Sequence, residues 1–280
     1  MGLNLTKEDN RMPHLESMVF EEITARLTDN VLHIQFNRPH KKNAMNLTLV
    51  EEVMQCFERV EDMNNLRVVV IQGSHGNFCA GGDISDMHLS SLSESEREDT
   101  IWHFNRSFGR MITQVKHSAT PVIAVVEGAV LGGGFGLACV ADITIASDSA
   151  FFALPETGLG VIPAQIAPFV ASRIGVDQTK RLALTGEKLN AEQALRLGLV
   201  HGVCQSNAIS EQVNKEITRI KQCAPQANSN TKRLLLGLNN TPLDQILDGA
   251  ATAFVKSLTS EEGVEGTQAF IQKRKPSWCE

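Results

Sequence analysis

Two glycine-rich segments, Ala80–Asp83 and Gly132–Gly136, have the composition of a site that could do chemistry. Each follows a short apolar, β-branched run, Val68–Ile71 or Val122–Val126, which predicts a strand covered on both faces in a largely parallel sheet. Small residues let a backbone approach a ligand closely, and a helix that begins in the second segment would point free N–H groups at it. Two converging N–H donors of this kind stabilise a thioester enolate. The pattern therefore suggests an oxyanion hole at the carboxyl ends of two strands.

Packing is the alternative interpretation of these glycines. The second segment fits neither GxGxxG nor the GxxxxGK[ST] of a P-loop, so nucleotide phosphate is not its obvious ligand. Glycines also allow a helix to lie close against a sheet, and the first segment alone is a plausible tight loop. The two segments together are a more specific signal than either one.

The overall composition excludes several classes of partner. Among 280 residues there are 26 Lys plus Arg against 32 Asp plus Glu and no long basic run, so a nucleic-acid partner is not expected. No signal peptide and no long uncharged apolar stretch is present, so membrane insertion is not expected. The six cysteines are scattered without CxxC pairing, which favours reduced thiols and a cytoplasmic location.

The chain divides into three parts by pattern. Residues 1–17 are polar and mixed, as in a mobile arm, residues 18–205 alternate strand and helix patterns, and residues 206–280 are helical. Val19–Leu27 and Val31–Phe36 predict a hairpin, and Glu94–His117 predicts a helix over the site. Thr48 and Glu51 fit a capping box for the first helix.

Four segments together resemble the crotonase (enoyl-CoA hydratase/isomerase) superfamily: Asn77–Ile84, Ala124–Gly134, Ala141–Ala146 and Phe152–Gly160. Further matches lie at Arg38–Pro39, Asn43–Met45, Leu184–Gly186, Leu197–Val200 and Ala269–Trp278. The matches follow the family's order from about Met18 onward. The sequence is therefore identified as a member of this superfamily.

The resemblance implies a fold, an assembly and a set of ligand contacts. The fold is an α/β, ClpP-like crotonase spiral of ββα units with a C-terminal helical trimerisation region, assembled as a homotrimer or as a hexamer, a dimer of trimers. The substrate is an acyl-CoA thioester, so CoA is part of the substrate and no separate cofactor is expected. The family's oxyanion donors fall on the N–H groups of Gly82 and Gly133. Its CoA-arm positions fall on Ala44, Ala80 and Ile84, and its adenine positions, often supplied by a neighbouring subunit, on Phe270 and Lys273.

The acid/base pair departs from the family pattern. Hydratases of the superfamily typically use two glutamates; Glu156 matches the second, but Gly136 stands at the first and cannot hold water with a side chain. Gly136 is still counted among the substrate-lining positions. Glu156 could be a solvated loop carboxylate. Its apolar neighbours, Phe152 and Leu154 among them, instead favour a raised pKa and a catalytic role.

The segments around Gly136 and from Leu154 to Val170 are similar to those of bacterial hydratases of branched glutaconyl-CoA esters. This resemblance implies hydration of 3-methylglutaconyl-CoA, in leucine breakdown, or of isohexenylglutaconyl-CoA, in acyclic terpene breakdown. The distal carboxylate of such a substrate, or another polar side chain, could help where the first glutamate is missing. Two alternatives stay open: a Δ3,Δ2-enoyl-CoA isomerase, which needs one base, and a catalytically silent CoA-ester-binding scaffold.

Three further features have modest interpretations. Asp83 matches a family position and is counted with the CoA-binding residues, although capping a turn also explains it. Lys273 belongs to a basic cluster that is either a solvated tail or a contact for a CoA phosphate. The histidines around the first glycine segment fit no metal motif, so no metal is expected.

Overall fold

The computed structural model describes residues 18–83, 85, 89–238 and 242–279. The predicted arm, residues 1–17, and Ile84 lie outside the described residues. The strands are β1 Ile23–Thr28, β2 Val31–Phe36, β3 Val68–Gly73, β4 Val122–Val126, β5 Ala129–Leu131, β6 Ile143–Ser147, β7 Phe151–Ala153, β8 Leu189–Asn190 and β9 Gly202–Cys204. The α-helices are α1 Leu47–Val60, α2 Glu94–His117, α3 Gly133–Val140, α4 Ala167–Ile174, α5 Val176–Thr185, α6 Ala191–Arg196, α7 Ile209–Lys221, α8 Pro225–Leu236, α9 Leu243–Leu258 and α10 Glu261–Ile271.

A six-stranded sheet with the order β1-β2-β3-β4-β6-β9 forms the centre of the molecule. Only β1 and β2 pair antiparallel, and the other neighbours are parallel. Every residue of β4 is buried, as is the apolar part of β3, because both faces of the sheet are covered. The two predicted parallel strands are thus confirmed. They run side by side, so the loops that follow them start from the same edge.

The predicted hairpin is confirmed, with a later start. Its first strand begins at Ile23 rather than Val19, and Thr28 pairs with Val31 across a two-residue turn. Asp29 and Asn30 both have positive φ, 49° and 61°, as a type I′ turn requires.

A second, three-stranded sheet with the order β5-β7-β8 lies beside the main one. Strand β5 directly follows β4 in the chain and leads into α3, and β7 likewise follows β6 and precedes α4. These successions are the ββα units that the resemblance implies. They place both glycine segments next to β5, since Cys79 bridges to Val130 within that strand.

Helix α1 begins one residue earlier than its predicted cap. Asn46, in extended conformation, accepts a hydrogen bond from the Leu49 N–H at 3.0 Å and is the N-cap. The predicted capping box at Thr48 and Glu51 is therefore wrong, because the helix begins at Leu47 and the Asn46 side chain satisfies a free N–H at this end. Helix α2 has the predicted bounds and a complete capping box from Ser93 and Glu96.

Only α-helices and two short 3-10 helices follow β9 among the described residues. A salt bridge of 2.6 Å between Lys232 and Asp142 ties α8 to the strand region. Neither α8 nor α9 has a buried residue. Large exposed apolar side chains of this region are Leu235, Leu243, Leu247, Phe254, Val255, Phe270 and Ile271. Within the described part of the chain, no helix combines the length and apolarity needed to cross a bilayer.

Candidate active site

The first glycine segment is fixed by backbone hydrogen bonds on both sides. The Cys79 N–H donates to Ala129 O at 2.9 Å, and the Met45 N–H donates to Gly81 O at 2.8 Å. Because a trans peptide is planar, with C=O and N–H on opposite sides, the bond to the Gly81 carbonyl turns the Gly82 N–H away from Met45. That N–H makes no hydrogen bond to the described residues. It is a free donor with a fixed direction.

The second segment provides a helix N-terminus. Helix α3 starts at Gly133, and its first backbone bond runs from the Gly136 N–H to Gly132 O at 3.0 Å. The N–H groups of the first turn have no partner within a helix and carry its positive dipole end. The Gly133 N–H donates to no described residue. A developing negative charge in front of α3 would be stabilised there.

The structure brings the two segments into contact. Glycine has no Cβ, so the space at each glycine is given by the position that an added Cβ atom would take. A Cβ added at Gly132 would lie 3.7 Å from the Gly81 Cα, and one added at Gly134 would lie 2.7 Å from the Cys79 Cβ. Glycine at these positions therefore allows the close approach. The adjacency of the segments supports the predicted oxyanion hole, whose binding of a thioester oxygen stays a prediction.

Glu156 begins a short 3-10 helix, Glu156–Leu159, after β7. A Cβ at Gly132 would stand 3.0 Å from its Oε1, so the carboxyl group lies beside the second segment. Its Oε2 is buried and has no hydrogen-bond partner among the described residues. Burial raises the pKa of Glu156, against a smaller opposing effect of its own backbone N–H. The Glu156 carboxyl group is half-buried, one of its oxygens has no described hydrogen-bond partner, and it lies near the glycine segments that provide the Gly82 and Gly133 N–H groups. Such a group suits proton transfer and does not fit the alternative of a solvated loop carboxylate.

Helix α2 covers both donors with aromatic rings. A Cβ at Gly82 would stand 3.6 Å from the Phe104 ring, and one at Gly133 would stand 3.1 Å from the Phe108 ring. The two phenylalanines are four residues apart and so share a face of the helix. An apolar cover excludes water and strengthens hydrogen bonds to an oxyanion. Sequence reasoning placed a helix here but missed these two residues, which the four-residue spacing of aromatics could have indicated.

Gly136 has no room for a side chain. A Cβ there would stand 2.4 Å from Ile166 Cγ2 and 3.2 Å from Ile112 Cδ1. Both isoleucines are buried, with exposed fractions of 3% and 0%. The space of the family's first glutamate is thus occupied by apolar atoms. Sequence reasoning found the missing glutamate but not Ile166, which fills its place.

Asp83 joins the first glycine segment to the residues after β2. Its carboxylate pairs with Arg38 at 3.0 Å, and the same guanidinium donates to Ala44 O at 2.6 Å. The Ser85 N–H donates to Asp83 Oδ1 at 3.2 Å, which confirms the capped turn. Burial acts to raise the pKa of Asp83, but hydrogen bonds from Ser85 and Arg38 hold it below its usual value. These contacts give Asp83 a role in orienting the loop.

The remaining predicted ligand positions are dispersed. Ala80, the first residue of the first glycine segment, is half-buried, and so is Ala44. A cavity of about 730 Å³ adjoins it and is lined by Asn46, Leu47, Thr48, Asp83, Asp99, Thr100, Trp102, His103 and Phe104. Phe270 is 85% exposed on α10, and Lys273 is exposed just beyond it. Their contacts with CoA stay predictions. Over the residues that the structure describes, no cluster of three or more His, Cys, Asp or Glu could hold a metal ion.

The sequence profile of the enoyl-CoA hydratase/isomerase family matches residues 26–280. The chain belongs to this family and has the crotonase fold. It is similar to an enoyl-CoA hydratase/isomerase from Marinobacter aquaeolei, with 46% identity, a TM-score of 0.89, and coverage of 92% of this chain and 99% of that one. AtuE from Pseudomonas aeruginosa has 43% identity, a TM-score of 0.89, and coverage of 93% and 100%. A carnitinyl-CoA dehydratase from Proteus mirabilis is 31% identical over 255 residues, 89% of this chain and 95% of the relative.

Proposed function

We propose that this protein adds water across the 2,3 double bond of an enoyl-CoA thioester. The observation that carries the proposal is the position of the Glu156 carboxyl beside Gly132, next to the free N–H of Gly133. The similar protein from Proteus mirabilis is named as a dehydratase, and dehydration, the loss of water, is the reverse of hydration.

One carboxylate suffices for the proton balance. The N–H groups of Gly82 and Gly133 hold the thioester oxygen while ionised Glu156 takes a proton from water. The water oxygen bonds to C3, and the electron pair of the double bond moves onto the thioester as an enolate. Glu156 then returns the proton to C2 on the same face, and the enolate collapses to the 3-hydroxyacyl thioester. The donors act most strongly on the enolate because its charge develops on the oxygen that they face.

The proposed substrate is a branched glutaconyl-CoA, either 3-methylglutaconyl-CoA of leucine breakdown or isohexenylglutaconyl-CoA of acyclic terpene breakdown. The sequence resemblance around Gly136 and from Leu154 to Val170 supports this choice.

We further propose a homotrimer or a dimer of trimers in the cytoplasm. The exposed apolar side chains of α8, α9 and α10, Leu243 and Phe254 among them, support burial against a second copy. Phe270, 85% exposed, would then be available to a neighbouring subunit's substrate.

Double-bond isomerisation is the second candidate function. The apolar filling of position 136 favours it, because a single base that moves one proton needs no second carboxylate. Catalytically silent binding is the third outcome to be tested.

The distinguishing experiment offers the purified protein crotonyl-CoA, 3-methylglutaconyl-CoA, isohexenylglutaconyl-CoA and a 3-enoyl-CoA, and identifies the products by mass spectrometry. Hydration of a glutaconyl ester faster than of crotonyl-CoA supports the proposal. A shifted double bond without added water would favour the isomerase, and no conversion of any thioester would favour the scaffold.

A further inference from the structure

Three polar side chains converge over Gly109 of helix α2. A Cβ at Gly109 would stand 1.9 Å from Gln165 Oε1 and 2.8 Å from Arg106 Nη1, so both groups occupy the space that only a glycine leaves. Gln165 Nε2 also donates to Asn105 Oδ1 at 2.9 Å. Asn105, Arg106 and Gln165 are called the amide–guanidinium cluster below.

The amide–guanidinium cluster has more donors than acceptors. Each amide carries an NH₂ group and one oxygen, and the bond between the amides uses a single N–H, whichever way the two are oriented. Arg106 adds a permanent positive charge and forms no ion pair with an acidic side chain of the described residues. Arg106 is exposed, and its guanidinium together with the remaining amide N–H groups can donate to an anion with several acceptor oxygens.

Residues that neighbour the amide–guanidinium cluster in the chain contact the second glycine segment. Gly109 follows Phe108, whose ring covers Gly133, and Gln165 precedes Ile166, which fills the space at Gly136. The phosphates of CoA are separated from the thioester by the whole pantetheine arm. A carboxylate on a short acyl chain is separated from it by a few bonds only. The anion that fits this place is therefore part of the acyl group.

We infer that the amide–guanidinium cluster binds the free carboxylate of a dicarboxylic acyl-CoA thioester. A guanidinium donates to both oxygens of a carboxylate in parallel, and the amide N–H groups complete the contact. The inference rests on the proposed function, because it assigns a recognition site to the glutaconyl class of substrate. Binding of a carboxylate by this cluster also explains the glycine at position 109, because Arg106 and Gln165 occupy the space that a side chain there would need.

Binding of two saturated thioesters tests this site without any turnover. Glutaryl-CoA carries the distal carboxylate and butyryl-CoA lacks it, and neither has a double bond to hydrate. By isothermal titration calorimetry, the unchanged protein is expected to bind glutaryl-CoA about tenfold more tightly, and added salt is expected to reduce the preference. Equal affinities for the two thioesters would overturn the inference.

Single substitutions then show which residues cause the preference for glutaryl-CoA over butyryl-CoA. Arg106→Gln and Gln165→Ala are expected to lose the tighter binding of glutaryl-CoA and to keep the affinity for butyryl-CoA. Arg110→Gln is the matched control, because Arg110 is exposed like Arg106, lies one turn further along the same helix and is not part of the cluster. A loss of affinity for both thioesters in Arg106→Gln, or an equal effect of Arg110→Gln, would contradict the site. Failure of hydration with an intact glutaryl-CoA preference would overturn the proposed function alone.

Discussion

The carboxyl group of Glu156 lies beside the bare α-carbon of Gly132, where a Cβ would stand 3.0 Å from Oε1. Gly132 has φ 48° and ψ −114°, a backbone conformation that L residues rarely adopt. The next residue, Gly133, begins α3, and its N–H donates to no residue that the structure describes. One tight turn therefore places the proposed proton carrier and an oxyanion donor side by side.

Gly132→Ala is expected to lower kcat at least about tenfold, since both the positive φ and the approach of Glu156 oppose a side chain. Gly158→Ala is the control, because nothing lies within 4 Å of a Cβ there and no positive φ is present. Steady-state kinetics with the best enoyl-CoA, together with circular dichroism to confirm folding, makes the comparison. Equal kcat values for the two variants would contradict this role of Gly132.

Gly136 and Ile166 are expected to be energetically coupled. Gly136→Ala should destabilise the fold by about 1–3 kcal/mol through overpacking, although alanine gains about 1 kcal/mol of helix propensity. Ile166→Ala alone should cost about 2–4 kcal/mol. In the double variant, the methyl group of the new alanine at position 136 enters the space that the Ile166 side chain has left. The loss in free energy of unfolding, measured with urea, should therefore be at least about 1 kcal/mol smaller than the sum of the two single losses.

The control for this pair is Gly249→Ala in the exposed α9, where nothing lies within 4 Å of a Cβ. This change should stabilise the protein by up to about 1 kcal/mol. Additive costs at positions 136 and 166 would show that Ile166 does not exclude a side chain at Gly136.

Asp83→Ala is expected to reduce the free energy of unfolding by about 1.5–3 kcal/mol, because it removes a hydrogen-bonded carboxylate from the buried Arg38, which keeps its ion pair with Glu22 at 3.1 Å. The Arg38 and Asp83 side chains are only 4% and 7% exposed. Asp177→Ala removes an ion pair whose side chains are 63% and 93% exposed and should cost less than about 1 kcal/mol. Urea unfolding at neutral pH compares the two, and a similar small cost for both would count against the structural role of Asp83.

The contribution of Asp83 should also depend on pH. Its folded-state pKa is lowered, so the stabilisation is present above the unfolded pKa, about 3.9, and is lost as the pH falls through the lower folded value. The difference between the protein and Asp83→Ala should therefore be the same at pH 5 and pH 7 and shrink only in stronger acid. A difference that declines between pH 7 and pH 5 would contradict the lowered pKa.

The pH profile of kcat/KM should report the raised pKa of Glu156. Hydration starts from the ionised carboxylate, so activity is lost as Glu156 becomes protonated on acidification. Because burial raises the pKa from its ordinary 4.5, the acid limb should have its midpoint above that value. Circular dichroism across the same pH range controls for unfolding. Activity that stays constant down to pH 4.5 would be inconsistent with this assignment.

Local hydrophobic patterns predicted strands of the main sheet but did not predict the very short strands. β3 and β4 were predicted because continuous β-branched runs are typical of strands buried on both faces. β5 and β8 have three and two residues, too few for any periodicity to be visible. The cap of α1 was misassigned because Asn46 and Thr48 are both acceptable N-caps, and only the backbone conformation selects between them.

The candidate site was predicted in part. The glycine segments and Glu156 could be found from residue types and from the family resemblance. Ile166 could not, because its role depends on a contact with Gly136 from a distant part of the chain. The missing carboxylate at position 136 was visible in the sequence, but its physical reason, the packing of Ile166, is a property of the fold.

Glu156→Gln gives the most direct test of the proposed chemistry. The substitution keeps the shape of the side chain and removes its ability to exchange a proton, so turnover of the best enoyl-CoA is expected to fall by about 10² or more while binding of a saturated acyl-CoA is unchanged. Stopped assays for the 3-hydroxyacyl product and calorimetry on the same preparation measure both quantities. Undiminished hydration by Glu156→Gln would contradict the account.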